Sequence, residues 1–191
     1  MERLTATLAS RNPNKARELE RLLPGWTIQP LEAADYPPED ADTYYENART
    51  KALFGRQTAE PEAWVLGEDS GLEVRGLDGG PGIRSARSGG DDPVAWLLEK
   101  LASVSGEDRR ARYVSELVAL SPDRCELRGT GTLEGSIAES PRGSEGFGFD
   151  PVFVPLGEER TVAELGNEWK AGHSHRAEAA RALLALLPDA G

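Results

Sequence analysis

The sequence predicts an α/β protein with a mixed β-sheet flanked by helices, and three observations carry that prediction. Strand-like and helix-like segments alternate near both ends of the chain, two long strand-like segments follow one another in the middle, and no internal repeat or obvious linker interrupts them. Alternating elements favour layered α/β folds, whereas consecutive strands joined by a turn imply antiparallel pairing, so the sheet should be mixed rather than purely parallel. With 191 residues the chain can bury a substantial core without disulfides or metal staples, and a single domain over 1–191 is expected.

Leu4 to Ala9 alternates larger apolar, small and hydroxyl side chains and reads as a short strand. Asn12-Pro13 supplies a helix cap with proline at the first helical position, and Ala16, Leu19, Leu22 and Leu23 recur at helical spacing until Pro24-Gly25. A strand is expected from Trp26 to Leu31. Asp35 to Asp42 is acidic, carries Pro37-Pro38 and reads as a surface loop; Thr43 then caps a helix to about Ala59. Trp64–Leu66 and Leu72–Val74 look like two strand pieces flanking a Glu68-Asp69-Ser70-Gly71 turn, and Gly76 to Gly82 is a loop.

Asp92-Pro93 opens another helix with Val94, Leu97, Leu98 and Leu101 on one face. Arg112 to Leu120 and Cys125 to Ile137 read as consecutive strands around a turn at Ser121-Pro122. Ser140 to Asp150 is Gly-rich, Pro151 to Val154 is a short strand, and Ser174 to Leu187 is a closing helix rich in Ala and Leu.

Composition narrows the function classes. The net charge of −11 disfavours polymeric nucleic acid, whose binding surfaces gather Lys and Arg, but leaves open a small phosphorylated ligand held by local cations or a divalent metal. A single cysteine, Cys125, and only two histidines, His173 and His175, exclude an intramolecular disulfide and the usual Cys/His zinc clusters, and a reducing cytoplasm fits. No apolar run approaches the roughly 18 residues of a membrane span, and neither a signal peptide nor an anchor is expected.

Several clusters could carry chemistry. Ser10-Arg11-Asn12-Pro13-Asn14-Lys15 lies between the first strand and first helix, where free N–H groups and the helix dipole favour an anion; a capped helix with an exposed lysine is the plain alternative. It is not a Walker loop. Glu46 stands three residues after Thr43, which fits a capping box as well as a metal ligand beside Asn47 and Lys51. Adjacent acids Glu68 and Asp69 after the apolar Trp64-Val65-Leu66 are costly unless something positive neutralises them, and a divalent cation would do so; a solvated acidic turn is the alternative. Glu145-Gly146-Phe147-Gly148-Phe149-Asp150-Pro151 sets aromatic rings among glycines, which suits a stacked planar base or core packing. Lys170, His175 and Arg176 surround Ser174, the expected cap of the last helix, and offer donors to purine oxygens or a phosphate.

Taken in order, Ser10-x-Asn12-x-x-Lys15, Glu46-Asn47-Ala48-x-x-Lys51-Ala52, Asp69-Ser70-Gly71-Leu72, Gly146-Phe147-Gly148-Phe149-Asp150-Pro151 and Ser174-His175-Arg176 resemble the inosine triphosphate pyrophosphatase family, the non-canonical purine nucleoside triphosphate (dITP/XTP) pyrophosphatases. The resemblance implies an elongated mixed sheet with two lobes around a nucleotide-binding cleft, a homodimer, Mg²⁺ dependence, and hydrolysis of ITP, dITP and XTP to monophosphate and pyrophosphate. It implies triphosphate binding by Ser10, Arg11, Asn12, Pro13, Asn14 and Lys15, metal binding by Glu46 and Asp69, with Glu68 as a further metal candidate, and Asp69 as catalytic proton acceptor. Lys51, Ser70, Phe147, Gly148, Phe149, Asp150, Lys170, His175 and Arg176 complete the implied substrate set. The chain departs from the family at Glu68, where aspartate is frequent, at Asn14, often glycine, at Ala171, often polar, and at Ala177, often glycine. A pyrophosphatase for modified pyrimidine triphosphates and a non-catalytic purine nucleotide sensor remain as alternatives, separable by release of pyrophosphate from dITP.

Overall fold

Residues 3–33 and 35–187 are described by a computed structural model of the chain. The first strand, β1 (Leu4–Leu8), leads into helix α1 (Pro13–Leu22), whose start follows from its sequence: the Asn12 side chain accepts the Asn14 N–H, and Pro13 takes the first turn, where a missing donor costs nothing. β2 (Trp26–Pro30), α2 (Tyr44–Gly55) and β3 (Trp64–Val74) follow. Then come the two-residue β4 (Pro81–Gly82), α3 (Pro93–Lys100), β5 (Arg110–Leu120), β6 (Glu126–Ile137), β7 (Phe153–Pro155), α4 (Val162–His173) and α5 (His175–Leu184).

The strands form one sheet in the order β2-β1-β3-β5-β6-β7, with β4 beside β3. β1 pairs parallel with β2 and β3, whereas β3–β4 and β6–β7 are antiparallel, so the sheet is mixed as expected. The described residues fall into two compact units. The first comprises those of Met1–Asp69, Ser115–Gly131 and Arg176–Gly191, the second Ser70–Val114 and Thr132–His175. Unit boundaries therefore lie inside β3, β5 and β6.

Part of the first unit's core is Ala48, Ala52, Val65, Val118 and Leu120, where α2 lies on the sheet. That approach depends on Gly67: a Cβ there would run into the Ala48 carbonyl oxygen and the Ala52 nitrogen. The second unit's core gathers Leu72, Val74, Leu97, Leu101, Tyr113 and Phe153.

The two strand pieces expected around an acidic turn are one continuous strand. β3 runs unbroken through Glu68-Asp69-Ser70-Gly71, with Glu68 fully buried and Asp69 4% exposed. The expectation rested on the rarity of buried acids; the cations described below remove that objection. The sequence reading also missed α4, although Thr161 and Glu164 form a complete capping box at its start. Gly166, at φ 88°, interrupts this helix, and the Glu145 carboxylate accepts the Asn167 backbone N–H at 3.0 Å and its side-chain amide at 2.7 Å just beyond the break. The closing helix begins at His175, and the short strand expected at Pro151–Val154 is Phe153–Pro155.

Candidate active site

In the first unit, the register pairing Leu8 with both Pro30 and Leu66 sets the Ser10–Lys15 loop and the Glu68-Asp69 pair just beyond the carboxyl end of β1, where ligands gather in open α/β sheets. Ser10 Oγ accepts the Asn12 N–H at 3.2 Å, which folds the loop back on itself. Ser10, Arg11 and Pro13, with Pro30, Leu31 and Tyr36, line an open pocket of about 560 Å³, and the Arg11 guanidinium lies 5.1 Å from the Tyr36 ring centre.

Lys15 is not the exposed lysine of the plain reading. It is buried, with its ammonium 2.6 Å from Glu68 Oε2. The other oxygen of Glu68 accepts from Ser115 Oγ and from Arg176 Nε, both at 3.0 Å, and Arg176 Nη1 also reaches Glu18 Oε2 at 3.1 Å. Burial alone would raise the Glu68 pKa, but Lys15 and Arg176 together hold the carboxyl far below the ordinary carboxylate range. Glu68 is thus favoured as an anion, with protein donors facing both its oxygens. Burial, opposed by Glu68, lowers the Lys15 pKa.

Asp69 has the opposite balance. Oδ1 accepts from Lys51 Nζ at 3.0 Å and Oδ2 from Asn47 Nδ2 at 3.2 Å. The Asn47 amide is oriented by its own carbonyl, which accepts the Ala41 N–H at 3.2 Å. Desolvation outweighs both lysines here, with Glu68 adding to it, and the Asp69 pKa is raised. The Lys51 ammonium also donates to Glu39 Oε1 at 2.6 Å; burial works against its charge, but Asp69 and Glu39 prevail and its pKa is raised. Glu46 is exposed on the first turn of α2, where it accepts the Thr43 hydroxyl at 2.9 Å while Thr43 Oγ1 accepts the Glu46 N–H at 3.1 Å.

The second unit holds the aromatic group. Asp150 Oδ2 accepts the Phe147 N–H at 2.8 Å and the Lys170 ammonium at 2.9 Å, and Oδ1 accepts Tyr113 Oη at 3.4 Å. Lys170 lies 4.1 Å from the Phe147 ring centre, and His175 stacks on Tyr113 at 4.6 Å. Gly146 adopts φ 80°, and a Cβ there would collide with the Asp150 carboxylate. Of the two readings left open for the phenylalanines, Phe149 takes core packing, its side chain buried in the second unit's core, while the Phe147 ring is half-exposed. Gly148 is exposed and Ser70 half-buried on β3.

Sequence reasoning named most of these residues but missed Glu18, Glu39, Tyr113 and Ser115. Glu18 was within reach, because it sits one helical turn from Lys15 on α1. Glu39 was passed over as part of an acidic surface loop, and only the folded chain joins it to Lys51.

A buried carboxylate with a raised pKa, set beside buried lysines just beyond the carboxyl end of β1, marks a candidate site for an anionic ligand. The Ham1 family model matches residues 6–186, and the chain belongs to that family. It is 44% identical to a dITP/XTP pyrophosphatase of Thermus thermophilus, over 97% of this chain and 93% of that protein. Among solved structures it resembles the Staphylococcus aureus Ham1 protein (TM-score 0.79, 32% identity, 95% and 96% of the two chains). It also resembles the nucleoside-triphosphatase / dITP/XTP pyrophosphatase of Mycobacterium abscessus (TM-score 0.72, 39% identity, 97% and 98%).

Proposed function

We infer that this chain is a pyrophosphatase that hydrolyses non-canonical purine nucleoside triphosphates such as dITP, ITP and XTP to the monophosphate and pyrophosphate, removing them before they enter DNA or RNA. The names borne by its relatives support the substrate class, and one observation carries the chemistry: Asp69, buried and raised in pKa, is hydrogen-bonded to a buried lysine. A carboxylate whose pKa is raised by burial is better suited to taking a proton from water than an ordinary one.

In the mechanism proposed here, Asp69 orients and deprotonates a water for in-line attack on the α-phosphorus. The bond to the β-phosphate oxygen breaks and pyrophosphate leaves with the electron pair. Asn47 and Lys51 hold the carboxylate by its two oxygens, fixing its direction. Lys15 and Lys51 supply positive charge to phosphate oxygens, and the Ser10–Lys15 loop binds the triphosphate through its backbone and side chains. Phe147, Gly148, Phe149, Asp150, Lys170 and His175 are assigned to the nucleoside end, with Phe147 supplying the ring and Phe149 its backbone. Ser70 is assigned to the substrate. Arg176, with its guanidinium on Glu68 and Glu18, is assigned to holding the anionic centre together.

Magnesium fits this donor set. Mg²⁺ prefers one or two carboxylates completed by phosphate oxygens and water, and the buried Asp69 carboxylate supplies one of them. Glu46 and Asp69 would hold the ion, which when bound neutralises the triphosphate and polarises the α-phosphoryl group. Glu68, its oxygens engaged by Lys15, Arg176 and Ser115, is assigned to positioning Lys15 instead. A homodimer working in the cytoplasm completes the proposal. The exposed, free Cys125 suits a reducing compartment, and no helix among the described residues is long and apolar enough to cross a membrane.

Incubation with dITP and Mg²⁺ tests the reading. Pyrophosphate and dIMP in equal amounts are expected; release of orthophosphate, or binding without turnover, would replace it with a phosphatase or a sensor. Preference for a modified pyrimidine triphosphate over dITP would redirect the substrate class.

A further inference from the structure

We propose that Arg11 and Tyr36 build a subsite for the terminal phosphate of a nucleoside triphosphate, with Arg11 as the binding group and the Tyr36 ring as the platform that positions it. Such a subsite presupposes the triphosphate substrate inferred above. Arg11 is exposed on the loop between β1 and α1, and its guanidinium lies 5.1 Å from the centre of the Tyr36 ring. Tyr36 is itself held: its hydroxyl donates to the Leu31 carbonyl at 2.7 Å, and its ring packs on Phe54 with centres 5.4 Å apart. Burial raises the pKa of the phenol against the pull of Arg11, so the hydroxyl stays a neutral donor at neutral pH.

Both residues line the open pocket of about 560 Å³, together with Ser10, Pro13, Leu31 and Glu32. Lys15, at the other end of the loop, turns instead to Glu68, beside Asp69. With the α-phosphorus at a water held by Asp69, the outer phosphates extend along the loop, and Arg11 is the cation at its far end. A terminal phosphate has more free oxygens than a bridging one, and a planar guanidinium can engage two of them at once. Glu32 is exposed, where water and salt screen its charge. An arginine loose in solvent loses many rotamers when it captures a ligand; one already stacked on a ring has given up part of that freedom, which lowers the cost of binding. A purely structural role fits less well, because an exposed cation over a half-buried ring contributes little to stability.

Isothermal titration calorimetry with Mg²⁺, in an Asp69→Asn background that slows turnover, compares dITP with dIDP, which lacks the terminal phosphate. Arg11→Met should raise the Kd for dITP about 10-fold and that for dIDP less than about 3-fold, as expected when one charge-assisted contact is lost. Tyr36→Leu should weaken dITP part of the same way, and Tyr36→Phe, which keeps the ring, should stay within about 2-fold of the parent. In the active enzyme, Arg11→Met and Tyr36→Leu should raise KM for dITP more than they lower kcat. Equal weakening of dITP and dIDP overturns the subsite, as does an unchanged dITP affinity in Arg11→Met or a parent that binds the two nucleotides equally. A Tyr36→Leu variant as tight as the parent overturns the role of the ring. A wild-type protein that releases no pyrophosphate overturns the function itself; the comparison of dITP with dIDP still decides whether this pocket takes a terminal phosphate.

Discussion

Glu68→Gln should be the most destabilising single-atom-scale change in the site. Glu68 is fully buried and faces Lys15 at 2.6 Å and Arg176 and Ser115 at 3.0 Å. A glutamine carbonyl can still accept from Ser115 and Arg176, but its NH₂ group then points at the Lys15 ammonium, donor against donor. Lys15 is left buried and uncompensated. Removing one partner of a buried pair costs about 3–5 kcal/mol, and at roughly 2–4 °C per kcal/mol for a chain of this size the midpoint should fall by roughly 6–20 °C. Differential scanning calorimetry at neutral pH measures this directly. Adding Lys15→Met removes the stranded charge, so the double variant should regain a large part of the loss despite carrying two substitutions. A fall below about 2 °C for Glu68→Gln, or a double variant whose losses simply add, would refute the view that Glu68 and Lys15 form one interdependent unit. The pH dependence has a definite sign. Because the folded pKa of Glu68 is depressed, its contribution is fully present above the ordinary value of 4.5 and is lost as pH falls towards the folded value, so the gap between wild type and variant narrows in acid.

The neighbouring carboxylate should behave differently. The Asp69 pKa is raised, which means that its ionised form is disfavoured by the fold, so Asp69→Asn should change stability by no more than about 1 kcal/mol while reducing dITP turnover at least ~100-fold; calorimetry and a pyrophosphate assay read the two effects separately. For the same reason, the acidic limb of the metal-free Asp69 titration, followed by ¹³C NMR, should lie above 3.8. Gly67→Ala should lower the midpoint through a loss of about 1–3 kcal/mol, because the added methyl meets α2 backbone atoms that cannot rotate away. Glu145→Ala removes the acceptor for both Asn167 donors beyond the break in α4, and should raise KM for dITP with little change in kcat by loosening the helix that carries Lys170.

Much of the fold was legible because its signals are local. Asn12-Pro13, Thr43 and Asp92-Pro93 begin α1, α2 and α3 where the sequence placed them, since a cap acts within three residues of itself. The alternation of Leu4–Leu8 and the paired strand-like segments of β5 and β6 around a turn likewise needed no partner to be recognised. The ordered motifs marked the candidate residues, and the Ham1 family match covers the same span.

Charge state and burial belong to the tertiary structure. By itself the sequence presents Glu68-Asp69 as two adjacent acids, and neither propensity nor spacing distinguishes a solvated turn from a buried strand. Lys15 and Arg176 arrive at Glu68 from 53 and 108 positions away, while Lys51 reaches Asp69 from the nearer α2. Those contacts hold one carboxylate ionised while desolvation lifts the pKa of the next. Chain order decided that two acids would stand side by side on β3; which of them is held ionised and which has its pKa raised was decided by the balance of cations and burial that folding brought to each.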